Sequence, residues 1–439
     1  MDKTKIIIFA VIGIVVVIIG AVILANPFKE AAPPPVTLEF WSVFDDSEIY
    51  APLIQEYQKL YSNITINYYK KNIVSYEKEL VDALATGRGP DIFSIHNSWL
   101  PKHKDKLAPA SEDPGDVKKY GSLFVDSAAR DFVDDNKIYA FPLSVDSLAL
   151  FYNKDLLNSA GISSPPKTWP EFNSAVEMLT KRDDKNNILQ VGAALGTARN
   201  VNRSTDILAA LMLQSGAKMT ADDKRSATFD QSFLSGNENF NPGKQALIFY
   251  TNFAIPSLKV YTWNSLQHYS IDAFVEGQAA MMLNYAYQAP IIAARAPHLN
   301  FGVAPLPQIS QNSKKVTLGN YWAQTVGKGS KNITAAWQFV TWLSSQESSR
   351  TYLKTAKKPA ARRDLIEEQK SDIGLGVFAE QALYASSWWE IDNLAIERIF
   401  ADMIESVVAG KAAADDALTQ ANSQTTLLMR EAFDKQQKQ

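Results

Sequence analysis

The chain has 439 residues, a net charge of −3 and no cysteine. The missing cysteine removes disulfides, thiolate metal sites, cysteine nucleophiles and a lipid-modified cysteine tether. No run of Lys or Arg approaches a basic stripe, so no nucleic-acid partner is expected; residues 36–439 exceed one small core and predict two or three domains.

In chain order, the first element is residues 6–25, IIIFAVIGIVVVIIGAVILA, with no charge among them. At ~1.5 Å per residue such a helix spans the ~30 Å bilayer core. Lys3 and Lys5 precede it, so residues 1–5 are expected to be a cytoplasmic stub and everything beyond Asn26 to lie outside. A cleaved signal peptide is the rival reading, but its apolar region is usually only ~7–15 residues. Ile23-Leu24-Ala25 is also a poor small-residue site. An uncleaved anchor is therefore expected, in contact with membrane lipid. Residues 26–35 (NPFKEAAPPP) read as a short, stiff linker.

Strand and helix then alternate. Val36, Leu38 and Phe40 alternate with Thr37, Glu39 and Trp41 at period two. Tyr50, Leu53, Ile54, Tyr57 and Tyr61 share one helix face, with Asp45 and Glu48 spaced as a capping pair. Ile64, Ile66 and Tyr68 alternate again; Tyr76, Leu80, Ala83 and Leu84 return to helical spacing, with Gly87 as the stop. Asp91–Ile95 reads as a third strand. This βαβαβ order predicts a parallel sheet. Ligands bind beyond the carboxyl ends of such strands. Those ends carry Trp41-Ser42-Val43-Phe44-Asp45 and His96-Asn97-Ser98-Trp99. Rim packing of Trp41 and Trp99 is the competing reading.

A second α/β region begins near residue 140. Ala140–Tyr152 is apolar enough for one strand crossing between lobes, and Thr168 with Glu171 forms a capping box ahead of the face Phe172, Ala175, Val176 and Leu179. Residues 183–187 (DDKNN) read as a turn, lacking the ligand spacing and glycine of a calcium loop. Leu418, Ala421, Thr425, Leu428 and Ala432 mark an amphipathic terminal helix docked on the domain.

Residues 139–172, YAFPLSVDSLALFYNKDLLNSAGISSPPKTWPEF, resemble a hinge strand with proline, then YNK, a short helix ending in AGI, and PPKTWPEF, as found in the family-1 extracellular solute-binding proteins of ABC importers. Gly89-Pro90-Asp91-Ile92, residues 274–281 (FVEGQAAM), residues 301–307 (FGVAPLP) and Ser330-Lys331-Asn332 before Ala335-Ala336-Trp337-Gln338-Phe339 are similar to further family motifs, in the same order. The resemblance implies a two-lobed α/β, periplasmic-binding-protein-like (type II) fold with a hinge and interlobe cleft, here behind a transmembrane helix. It implies discontinuous lobes, expected as 36–145 plus about 323–385, and about 146–322 plus 386–439. It also implies an ABC permease as partner, a carbohydrate as solute, hinge closure as mechanism and a monomer.

A sugar offers an apolar C–H face and a rim of hydroxyls, so it calls for aromatic platforms beside carboxylates, amides and guanidinium groups. Trp41, Asp45, Asn97 and Trp99 are the candidates in the first lobe. Asp146 is chosen because it follows the family's hinge proline; a cap or hinge salt bridge is its alternative role. The second lobe offers Arg199 and Asn200 after Val191–Leu195, which is strand-like, and Asn284 and Tyr285 after the apolar Ala280–Leu283. Tyr321, Trp322, Trp388 and Trp389 complete the set.

Gly-x-Ser-x-Gly, His-Glu-x-x-His and Walker A patterns are absent from the sequence, and its four histidines show no paired ligand spacing. No enzyme activity, cofactor or metal is therefore expected. Asp45-Asp46 suggests a glycosidase pair only weakly, since adjacent side chains point apart. An anchored glycosidase, or the same fold binding a peptide, polyol phosphate or metal chelate, are the alternatives.

Overall fold

The computed structural model describes residues 33–437 apart from 111, 113 and 237. The expected stub, the apolar stretch 6–25 and most of the linker lie outside the described residues. Among the described residues no helix is long and apolar enough to cross a membrane.

Two hydrophobic cores divide the chain. One is built from residues between Leu38 and Val145 and between Tyr321 and Ala385. The other takes Leu148 to Leu318, Phe378, and Trp388 to Met429. The result is a two-lobed α/β architecture.

The first lobe carries β1 (Val36–Ser42), α1 (Ser47–Leu60), β2 (Ile64–Lys70), α2 (Ile73–Ala85) and β3 (Ile92–His96). β1 pairs in parallel with β2, Val36 opposite Ile64, and with β3, Phe40 opposite Ile92. Leu38 and Phe40 are fully buried while Glu39 and Trp41 are half-exposed, which is the period-two pattern made physical. α1 starts one residue later than the capping pair implied. Asp46 is its N-cap without a side-chain bond, because the Asp45 carboxylate is occupied elsewhere.

The sheet is not purely parallel. A late strand returns to it, 322–327, antiparallel to β3 with Trp322 opposite His96. The edge β4 (Leu107–Ala108) and the short β5 (Phe141–Pro142) lie against this returning strand. The single strand expected over 140–152 is broken into β5, β6 (Asp146–Ser147) and β7 (Ala149–Asn153), each in a different sheet. Its apolar run reflects burial in two successive cores, not one continuous ladder.

In the second lobe, β7 is the centre of an antiparallel sheet between β8 (Met281–Asn284) and β9 (Phe301–Pro305). Val191–Leu195 forms no strand; only Val191 bridges, to Ala279. Thr168 caps its helix by accepting from the Glu171 amide, while Glu171 reaches back to the Lys167 amide at 2.7 Å. The terminal helix, Ala414–Gln437, docks through Ala417, Leu418, Ala421, Thr425 and Met429, all buried.

The lobes are joined by a sheet of their own. β10 (Thr317–Asn320) pairs antiparallel with β6 and parallel with the segment Ala385–Ser386. The returning strand, β11 (Trp322–Gly327), continues from β10 into the first lobe. Three crossings, each only a few residues long, therefore lie side by side beneath the gap between the cores.

Candidate functional site

A cavity of about 440 Å³ lies between the lobes. Its first-lobe wall is the carboxyl end of β3 and the start of β11. Trp322 sits at its centre, edge-on to Phe44 (5.8 Å), His96 (5.4 Å) and Trp99 (5.1 Å). Trp99 is itself held by stacking on Tyr76 at 5.9 Å. The second-lobe wall is the amino end of α3 (Ser204–Gln214) and one face of α4 (Asn393–Val408). Asn393, Ile396, Glu397 and Phe400 recur at three- and four-residue spacing, so one helical face looks into the gap. Trp388, stacked on Phe400 at 5.9 Å, completes this wall. Rings thus approach the gap from both lobes.

The polar groups are few and unevenly matched. Arg203 donates from Nε to Asp206 at 2.9 Å, and Tyr285 donates to the same carboxylate at 2.6 Å. His96 contacts the Ser98 hydroxyl at 2.8 Å and Asn320 at 3.4 Å. Burial, with Arg203 nearby, pushes its imidazole down to about 4, so it is neutral at physiological pH. Glu390 and Glu397 also line the gap. Burial pushes the Glu390 carboxyl up to about 8, aided by the charge on Asp206; burial likewise raises Glu397. Both Phe44 (φ 64°) and Arg203 (φ 60°) border the cavity with left-handed backbones, a conformation uncommon for side chains larger than glycine. Exposed Val74 and Leu394 form an apolar lip at the mouth.

Of the residues expected from sequence, the structure brings Asn97, Trp99, Trp322 and Trp388 together in the cavity. Tyr285 lies one step behind, supporting Asp206. Tyr321 and Asp131 form a hinge knot: Asp131 accepts from Tyr321 (2.5 Å), Asn97 (3.1 Å) and Ser387. Burial pushes Asp131 up to about 6.

The others are placed elsewhere. Trp41 lies under the Lys71 ammonium, 4.1 Å from its ring centre. Asp45 accepts from Tyr352 (2.7 Å) and Lys358 (2.5 Å) inside the first lobe. Asp146 takes the amides of Ser147, Ala286 and Tyr287 at 2.7, 2.8 and 3.2 Å, tying the hinge to the second lobe; burial pushes it up to about 6. Arg199 is exposed and paired with Asp402 at 3.0 Å. Asn200 bonds the carbonyls of Asn264 and Gln267 and accepts from Trp263. Asn284 bonds Asn202 at 3.0 Å, and Trp389 lies under Lys224. Sequence reasoning missed Phe44, His96, Arg203, Asp206, Glu390 and Glu397. Glu390 follows the Trp388-Trp389 pair directly, His96 precedes Asn97 and Phe44 precedes Asp45, so three of the six were adjacent to recognised signals.

The chain matches the family profile of bacterial extracellular solute-binding proteins over residues 42–349. It is 26% identical to the maltotriose-binding protein of Pyrococcus abyssi over 317 residues, 69% of this chain and 60% of that relative's length. In fold it is similar to the sugar-binding protein MalE of Xanthomonas citri, with a TM-score of 0.73 at 20% identity, covering 92% of this chain and 100% of the other. The cyclic α-maltosyl-1,6-maltose binding protein of Arthrobacter globiformis gives a TM-score of 0.73 at 18% identity, covering 90% and 100%.

Proposed function

The chain belongs to the bacterial extracellular solute-binding protein family, and on that footing we propose that it is the capture component of an ABC importer, binding a carbohydrate between its lobes. It acts as a binding protein and not as an enzyme. The observation that carries this reading is the aromatic cavity: Trp99 and Trp322 from one lobe face Trp388 from the other. Flat rings bury the C–H face of a sugar, and Asn97, Asn320, Asp206 and Glu390 are spaced around them for its hydroxyls. The carbohydrates in the names of the relatives support the same class of solute.

The lobes are 36–145 with about 323–385, and about 146–322 with 386–439. Solute favours the closed arrangement because only closure brings both walls onto one molecule. The short crossings at β6, β10 and residues 385–386 serve as the hinge. Residues 6–25 anchor the protein as an uncleaved helix, holding a monomeric binding domain outside the membrane near its permease. A polyol phosphate fits poorly: Glu390 and Glu397 would face its negative charge, and Arg203 is already engaged by Asp206.

Tryptophan emission tests the reading directly, since three rings line the cavity. Titrating the full chain with mono- and oligosaccharides should give a saturable shift with one sugar class. A response only to peptides, phosphates or ferric chelates would keep the fold and overturn the carbohydrate assignment.

A further inference from the structure

The charge balance of the cavity narrows the solute further, granting that the solute is a carbohydrate. The basic groups that line the gap are committed or neutral. Arg203 is bonded to Asp206, Lys102 bridges Glu77 and Asp392 at 2.8 and 2.9 Å, and Lys78 at the mouth pairs with Asp82. His96 carries no charge of its own at neutral pH. The acids are not all committed. Among the described residues neither Glu390 nor Glu397 has a hydrogen-bond or ion-pair partner; Glu390 is half-buried and Glu397 exposed, and both line the cavity beside Trp388 and Phe400. A carboxyl withdrawn from water without a partner keeps its proton, as Glu390 does at neutral pH, and gives it up when a cation or several donors meet it.

We propose that the cavity selects a saccharide carrying a free, protonated amino group, with the ammonium seated against Glu390 and Glu397 and the sugar faces against Trp99, Trp322 and Trp388. Such a solute supplies the positive charge that the walls lack. The groups facing Glu390 fit this arrangement: Asp206 from α3, Arg203 just ahead of that helix, Asp131 from the first lobe and Glu397 from α4 leave an excess of negative charge around it. An ammonium on a sugar ring carries three N–H donors, enough for both carboxylates at once, whereas a hydroxyl carries one and an N-acetyl group only one weaker amide.

The test uses matched sets on the full chain by titration calorimetry: glucosamine, N-acetylglucosamine and glucose, and the β-1,4 trimers chitotriose in fully deacetylated form, triacetylchitotriose and cellotriose. The amino member of a set should bind at least about tenfold more tightly than both neutral members, a difference equal to one pKa unit of charge interaction. In Glu390→Gln combined with Glu397→Gln, which keep shape while removing the ionisable groups an ammonium would meet, that ratio should collapse toward one. Equal or tighter binding of the neutral members, or a ratio that survives the double change, overturns the charge assignment and leaves the carbohydrate reading standing. Silence from every saccharide, in these sets and in the wider panel above, overturns both.

Discussion

Trp99 and Asn393 meet across the gap between the lobes: the indole Nε1–H of the first donates to the amide oxygen of the second at 3.3 Å. Three residues from Trp99, Lys102 reaches Asp392 at 2.9 Å. Trp99 belongs to the first core, while α4, which begins at Asn393, packs through Ile396 and Phe400 into the second. These two contacts form a latch that exists only while the lobes are together.

Loosening the latch should therefore weaken binding without damaging either lobe. A neutral hydrogen bond contributes about 1 kcal/mol, or roughly fivefold in an equilibrium constant. Asn393→Ala is expected to raise the Kd for the solute about fivefold and to enlarge the radius of gyration of the free protein in solution scattering. An unchanged radius with unchanged Kd would mean that the contact bears no load.

Trp41 and Trp388 should separate cleanly in a binding assay. Trp388 lies on the cavity wall; Trp41 lies beneath Lys71 on the first-lobe sheet. Losing an aromatic platform costs ~1–3 kcal/mol of area burial and stacking. Trp388→Ala should raise Kd at least about fivefold by tryptophan emission or calorimetry, and Trp41→Ala should leave it within a factor of about two. The reverse order would move the solute away from the interlobe cavity.

Asn200 should behave as a stability residue. Its side chain ties the loop after Val191–Leu195 to two carbonyls and to buried Trp263. Asn200→Ala leaves several polar groups unpaired at once, at ~1–3 kcal/mol for a buried group. Chemical denaturation should report a loss of about 2–4 kcal/mol in the second lobe, while binding measured well below the new midpoint stays close to that of the parent.

The pH dependence of the free protein follows from Glu390. Its folded carboxyl titrates near 8, well above the usual carboxylate range, so folding favours the protonated form. The contribution to stability is complete below about pH 4.5 and is lost as pH rises through 8. Glu390→Gln should accordingly raise the melting temperature of the solute-free protein at pH 8 and leave it nearly unchanged at pH 5. A substitution effect of equal size at both values would show that burial does not govern this carboxyl.

The first three strands and the helices between them were readable because apolar spacing there is purely local. Leu38 and Phe40 face one way, and Tyr50, Leu53, Ile54 and Tyr57 cover one helix face. The mixed direction of the sheet was not readable, since β11 arrives from more than two hundred residues downstream of β3. The site was half readable for a related reason. In extended chain, neighbouring side chains point to opposite sides, so an aromatic pair offers one platform and not two. Trp388 faces the cavity while Trp389 turns to Lys224, and Trp322 faces it while Tyr321 turns to Asp131. Arg203, Asp206 and Glu397 carry no local mark at all; they become a site only when α3 and α4 are set side by side.

The insertion of β11 between β3 and β4 also sets a timetable for synthesis. Until residue 327 has left the ribosome, one edge of β3 has no neighbour and β4 has nothing to pair with. At ~5–20 residues per second this interval is on the order of ten to forty seconds. Throughout it, the nascent first lobe offers an open strand edge of Ile92, Phe93 and Ile95, the kind of surface that recruits other strands. The second lobe can gather most of its core earlier. A chaperone that shields strand edges should therefore bind nascent chains most strongly between about residues 110 and 330, and release them once the late strand slots in.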